Sequence, residues 1–210
     1  MEEEIIKKLK ENLELSIEEL NYLYTFNNYY TLVNIFGIEH VARTPDEITM
    51  DTICYVGDLY IIKKLPTYNL KYLFGMLNYN LDKVYNLDNL VYIGYIAYFD
   101  KLKDATGLEN LRYIKSNVFF DNLEVSTGLD SLEYIGRNAE FGSLRDASCL
   151  SSLEYIGRDA VFPNLENADG LENIKMIVRK ENFNGSTLID FRKRGKYYGK
   201  RERNNKKIKR

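Results

Sequence analysis

A chain of 210 residues, 45% hydrophobic and 29% charged, is sized for one folded domain or a domain with attachments. No run approaches the roughly 18 apolar residues of a membrane-spanning helix. The acidic start Met1-Glu2-Glu3-Glu4 is the reverse of a secretory signal, so a cytoplasmic setting is expected, in the protein's own cell or a host's. The net charge of −2 conceals an asymmetry: residues 191–210 hold eleven Lys/Arg against the single acid Glu202, which leaves 18 basic and 30 acidic residues, or −12, in the body.

Residues 1–48 carry no repeat and are expected to form an N-terminal helical cap. Met1–Asn12 reads as one helix. Ser16-Ile17-Glu18-Glu19 then opens a second, with the spacing of a capping box in which Ser and Glu satisfy each other's free amides. Leu20, Leu23 and Tyr24 fall at helical spacing, and Tyr29, Tyr30, Leu32, Val33 and Phe36 add apolar surface. A stack of repeats needs cover over its first coil, and these helices supply it; the alternative is a separate functional domain.

Residues 49–190 are a tandem repeat. Units 128–148 and 149–169 are identical at twelve of 21 positions, where unrelated segments would share about one or two. The unit G-L-x-x-L-x-Y-I-G-R-x-A-x-F-x-x-L-x-x-A-x extends back to 107–127 and 86–106, and forward to 170–190. Two worn copies precede, one from Leu70-Lys71-Tyr72-Leu73 and one from Ile53-Cys54-Tyr55-Val56-Gly57, for about seven coils. Leu, Leu and Ile recur every three residues, as in a tight turn-like or helical segment, whereas Ala and Phe alternate about one outward residue, as in a strand. Gly57, Gly94, Gly136 and Gly157 punctuate the two, where a positive φ is expected. No unit can bury its leucines alone, so stacking makes the core continuous and the fold is a repeat solenoid.

With its L-x-x-L-x-Y-I-G-x-x-A-x-F-x-x-L units over two-thirds of the chain, the sequence resembles leucine-rich repeat proteins of the bacterial, receptor-L-domain-like variety. The resemblance implies parallel strands lining one face and a binding site on that strand face. The chain departs from the usual pattern in carrying Leu102, Leu123, Leu144 and Leu165 where many such repeats place an asparagine ladder.

In this register Cys54 and Cys149 lie five coils apart, about 24 Å at roughly 4.7 Å per strand, beyond the ~7 Å a disulfide spans. They are expected to be free thiols, as in a reducing compartment. With His40 the only histidine, a histidine- or thiolate-based metal site is excluded, and no cofactor is expected. At the far end Glu181 and Ser186 take inward positions, so the stack stops, and Leu188, Ile189 and Phe191 close it. Residues 191–210 form a basic tail without the apolar content to fold.

Catalytic signatures are absent: there is no phosphate-cradling loop, no nucleophile elbow, no H-E-x-x-H and no Cys/His pairing. Glu109, Glu133, Glu154 and Glu172 fall at repeated surface positions without forming a distinct pair. The protein is therefore expected to be a non-enzymatic binding module whose partner is another protein. A carboxylate-dependent hydrolase is the remote alternative. Two outward rows mark the expected site: Tyr95, Ser116, Arg137, Arg158 and Arg179 before the strand, and Tyr98, Phe119, Glu140 and Val161 at its centre. Three apolar residues in four at an outward position suit an interface; alternatively, the terminal helices or the tail cover them. The row Tyr55, Tyr72, Tyr92, Tyr113, Tyr134 and Tyr155 is expected to be a structural ladder rather than a ligand platform.

Nucleic acid is the alternative partner. It would be held by Arg192, Lys193, Arg194, Lys196, Lys200, Arg201, Arg203, Lys206, Lys207, Lys209 and Arg210, or imitated by the acidic body. The tail could equally fold back on that body or serve solubility. Abundant Tyr, Asn, Lys and Ile without Trp suggests AT-rich coding, as in a low-GC bacterium, a phage or another mobile element, where an inhibitor or adaptor is a natural role. No membrane partner is expected, and composition leaves the oligomeric state open.

Overall fold

The computed structural model describes residues 1–174 apart from 12, 26 and 27, together with the backbone of Met176–Ile177, Leu188–Ile189 and Tyr197–Tyr198. Three short helices come first: α1 (Glu2–Lys10), α2 (Ile17–Thr25) and α3 (Tyr29–Phe36). The capping box forms as expected. Glu19 N–H donates to Ser16 Oγ at 3.2 Å, and Ser16 N–H donates to Glu19 Oε2 at 2.7 Å. Glu19 also meets Lys8 Nζ at 2.8 Å, which ties α2 to α1. Asn28 caps α3 through the Thr31 amide.

A short strand β1 (Val41–Ala42) leads into the solenoid. Each coil then contributes two strands: β2 (Cys54–Val56) and β3 (Leu59–Ile61), β4 (Tyr72–Phe74) and β5 (Leu77–Tyr79), β6 (Tyr92–Ile93) and β7 (Ala97–Tyr98). The pattern continues through β8 (Tyr113–Ile114) and β9 (Val118–Phe119), β10 (Tyr134–Ile135) and β11 (Ala139–Glu140), and β12 (Tyr155–Ile156) and β13 (Ala160–Val161). β14 (Met176–Ile177) adds one more strand, and β15 (Leu188–Ile189) pairs antiparallel with β16 (Tyr197–Tyr198).

Like strands stack on like. The first sheet has eight strands, in the order β1-β2-β4-β6-β8-β10-β12-β14, and the second has six, from β3 to β13, with every pair inside both sheets parallel. Among the described residues six coils carry both strands, against about seven repeats in the sequence, and strands line two faces instead of one. The Tyr-Ile dipeptide, which the three-residue spacing assigns to the turn-like segment, is the first strand.

The interior is one column. Leu, Ile and Ala of successive coils superpose, and the rings of Phe99, Phe120, Phe141 and Phe162 stack at 4.7, 5.3 and 5.0 Å. Leu102, Leu123, Leu144 and Leu165 are buried in it. The amide ladder expected at their positions lies outside the core instead. Asn69, Asn89, Asn110 and Asn173 each donate Nδ2 to a carbonyl of the preceding coil, at 2.6 Å, and Asn122 and Asn164 do so on another edge.

Of the four punctuating glycines, only Gly57 has a positive φ. Gly136 and Gly157 are required for space, since a Cβ on either would lie 2.0 Å from the carbonyl oxygen of the coil before it. Positive φ falls at the head of the unit instead, at Asn86, Gly107, Gly128 and Gly170. Cys149 holds that position in one unit, and there the chain takes a 3-10 turn over Ser148–Leu150. Both cysteines are free, Cys54 fully buried.

The helices pack against the side of the stack. Ile5, Leu15, Leu20, Leu23, Leu32 and Ile35 form a second core with Cys54, Tyr72, Phe74, Tyr92 and Tyr113, on the outer side of the first sheet. The Tyr24 ring sits where a side chain at residue 94 would be, 2.9 Å from a Cβ built on Gly94, and Lys115 Nζ lies 3.7 Å from that ring's centre. Burial lowers the Lys115 pKa. Arg112 bridges Glu14, ahead of α2, to Glu133 of the next coil.

Candidate binding surface

The first sheet's outward row runs Cys54, Tyr72, Tyr92, Tyr113, Tyr134, Tyr155. Tyr55, placed in this row from sequence, belongs instead to the core row with Leu73 and Ile93. The cause is spacing: the step from Cys54 to Tyr72 is 18 residues and from Tyr72 to Tyr92 is 20, where later steps are 21. In a strand a slip of one residue exchanges the two faces. Tyr72, Tyr92 and Tyr113 are buried under the helices. Tyr113 donates its hydroxyl to Glu133 Oε2 at 2.9 Å, and burial together with that carboxylate pushes its pKa up to about 12. Tyr134 and Tyr155 lie beyond Tyr113, half-buried and stacked on each other at 4.5 Å.

The second sheet has no such cover among the described residues. Its outward row runs Tyr60, Asn78, Tyr98, Phe119, Glu140, Val161. The last four are the central row read from sequence, now placed on adjacent strands and half-buried. Tyr98 and Phe119 lie flat on each other, ring centroids 5.1 Å apart and planes 8° from parallel. Tyr60, 54% exposed, extends the stripe by two coils and was missed for the same reason that misplaced Tyr55. Alternation in Leu59-Tyr60-Ile61 was its only sequence signal.

The row before the strand is interrupted. Tyr95, Arg137 and Arg158 are exposed, but Ser116 between them is buried, so Tyr95 stands apart from the arginines. Arg179 and the basic residues 192–210 of the tail lie outside the described residues, as do Glu181, Ser186 and Phe191. On the opposite margin, just after the inner phenylalanines, Asp100 and Asp121 are exposed on neighbouring coils. Burial and the nearby Asp121 raise the Asp100 carboxyl's pKa. Tyr98 and Phe119 thus have an aspartate after each of them on their own coils, and the two exposed arginines precede Glu140 and Val161 on the next two coils.

The repeated carboxylates have structural partners. Glu109 accepts from the Gly107 amide at 2.9 Å and Glu172 from the Gly170 amide at 2.7 Å, each closing a left-handed turn at the head of a unit. Glu133 is held by Arg112 and Tyr113. His40 faces the Asp51 carbonyl through Nδ1 at 2.8 Å, beside the first coil. Between α1, α3 and the start of the first sheet lies an open cavity of about 290 Å³, lined mainly by Ile6, Leu9, Leu13, Phe36 and Tyr72, with Lys10, His40 and Lys71 at its rim. Among the described residues no helix is long and apolar enough to cross a membrane.

Comparison of the chain with protein-family models, with curated proteins and with solved structures gives no match.

Proposed function

We propose that this chain is a non-enzymatic binding module of the leucine-rich repeat kind, acting in a cytoplasm, that grips another protein through the outer face of its second sheet. One observation carries the reading: the helices cover the first sheet's outer face over Tyr72, Tyr92 and Tyr113, and the second sheet's aromatic stripe has no such cover among the described residues. A flat Tyr98–Phe119 pair, with Arg137 and Arg158 on the two coils that follow, is the residue chemistry enriched where interfaces concentrate their energy. Aspartates on the far margin would select a partner of complementary pattern and set its register. An inhibitor or adaptor encoded by a bacterial mobile element fits such a module.

The test is affinity capture from lysate of the source organism, using the full chain and a 1–190 truncation, each with and without nuclease. A protein retained by both and indifferent to nuclease is the expected result. Capture that requires both the tail and intact nucleic acid would contradict it, and would make the basic arm, with its steep salt dependence, the functional element.

A further inference from the structure

Between α1, α3 and the first strands of the first sheet the packing is incomplete, leaving an open cavity of about 290 Å³. A smaller cavity of about 110 Å³ shares its walls Leu13, Lys71 and Tyr72. Protein interiors seldom leave gaps larger than a water molecule, so a hollow of this size sets the helical core apart from the stacked solenoid. Its walls are largely apolar. Ile6 and Leu9 of α1, Phe36 of α3 and Ile53 ahead of β2 belong to that core yet stay half-buried, and Leu13 is 52% exposed.

The cavity's charge has one sign. Among the described residues the charged side chains that line it are Lys10, His40 and Lys71, all basic. Two acids stand close by, and each is engaged. Glu39 meets His40 Nε2 at 3.5 Å, and Glu14, a wall of the smaller cavity, is bound by Arg112. The Lys10 ammonium has no carboxylate partner among the described residues. A concave, mostly apolar surface with a few convergent polar groups is what holds a small ligand. Here the apolar walls call for a hydrocarbon chain and the basic rim for an anionic head. At roughly 30 Å³ for each non-hydrogen atom, water's share of its own liquid, the larger cavity takes about ten such atoms.

We propose that this cavity is a binding site for a medium-chain amphiphilic carboxylate. Its chain lodges against Ile6, Leu9, Phe36 and Ile53, and its head pairs with Lys10 at the rim, in the positive field of Lys71. Such a ligand touches α1, α3 and the first sheet at once, so occupancy ties the helical layer to the stack. A ligand that binds only the folded chain also raises its unfolding temperature.

Titration of the full chain with decanoate below its micelle concentration tests this, read by methyl NMR and by the thermal unfolding midpoint. Saturable shifts at Ile6, Ile35 and Ile53 and a raised midpoint are expected. Decanol and decyltrimethylammonium match the chain without the anion, and should bind at least about tenfold more weakly. Lys10→Glu, at an exposed position, should weaken decanoate about tenfold or more while the unliganded protein keeps its midpoint. Leu9→Trp fills the cavity and should abolish the shifts at Ile35 and Ile53. No saturable binding, or equal affinity for decanoate and decanol, would overturn the proposal. So would decanoate binding that both variants leave unchanged, or shifts centred on Val161 of the second sheet, because the chain would then lodge elsewhere.

Discussion

Gly136 is where the geometry of the stack is least forgiving. Its Cβ position lies 2.0 Å from the Lys115 carbonyl oxygen and 2.7 Å from the carbonyl carbon, so a methyl group there would force adjacent coils apart. Backbone cannot yield as a flexible side chain does. Gly136→Ala is expected to destabilise the protein by about 1–3 kcal/mol, as overpacking does, measured by urea unfolding; a neutral result would mean that the coils sit farther apart than this. Glu19 makes the second test at this scale. Burial pushes its pKa up, but the Lys8 ammonium and the Ser16 amide and hydroxyl outweigh that and hold it below the ordinary value. A folded-state pKa below the unfolded one contributes stability at neutral pH that disappears as the pH falls through the acid range. Glu19→Gln should therefore be less stable than wild type near pH 7, by about 0.5–2 kcal/mol as for lost caps. The two should converge in stability only as the pH falls through the lowered pKa of the folded state, where the folded carboxylate also protonates. A difference that persists below that pKa would assign the effect to packing and not to charge.

At the scale of elements, the coil is the unit of stability. Leu132 is fully buried in the continuous core, between the equivalent leucines Leu111 and Leu153. Leu132→Ala should cost about 2–5 kcal/mol, and a near-zero change in the urea midpoint would mean that the repeat register is wrong. That register was legible in the sequence wherever the unit keeps its 21 residues, because twelve identical positions fix which side chains superpose. It failed where the spacing shortens to 18 and 20, and there Cys54, not Tyr55, completes the tyrosine row. The capping box at Ser16 was legible because it is a contact within four residues. Two strands per coil were harder to see. Tyr-Ile has a strand's composition but fits the three-residue spacing of the leucines equally well.

For the molecule as a whole, which sheet face is left at the surface is decided by where the helices pack, and no local pattern encodes that choice. It is made by tertiary fit: Tyr24 over the vacant Gly94 position, Lys115 against that ring, and Arg112 reaching Glu14 and Glu133. The central row from Tyr98 to Val161 could be read as outward from alternation alone, but whether the helices cover it could not. The fit also explains why a tyrosine row more regular than the aromatic stripe is mainly structural: three of its members are buried in the helical core.

The most direct test of the account is a side-by-side affinity measurement on a captured protein partner with wild type, Phe119→Glu and Tyr155→Glu. Both substitutions place a carboxylate on a half-buried aromatic at an outward position, one on each sheet, and thermal unfolding checks that both variants fold. Binding through the second sheet requires that Phe119→Glu weaken the complex by at least about 2 kcal/mol, as hot-spot losses do, while Tyr155→Glu leaves it unchanged. The reverse pattern, or equal affinity for all three proteins, would contradict it.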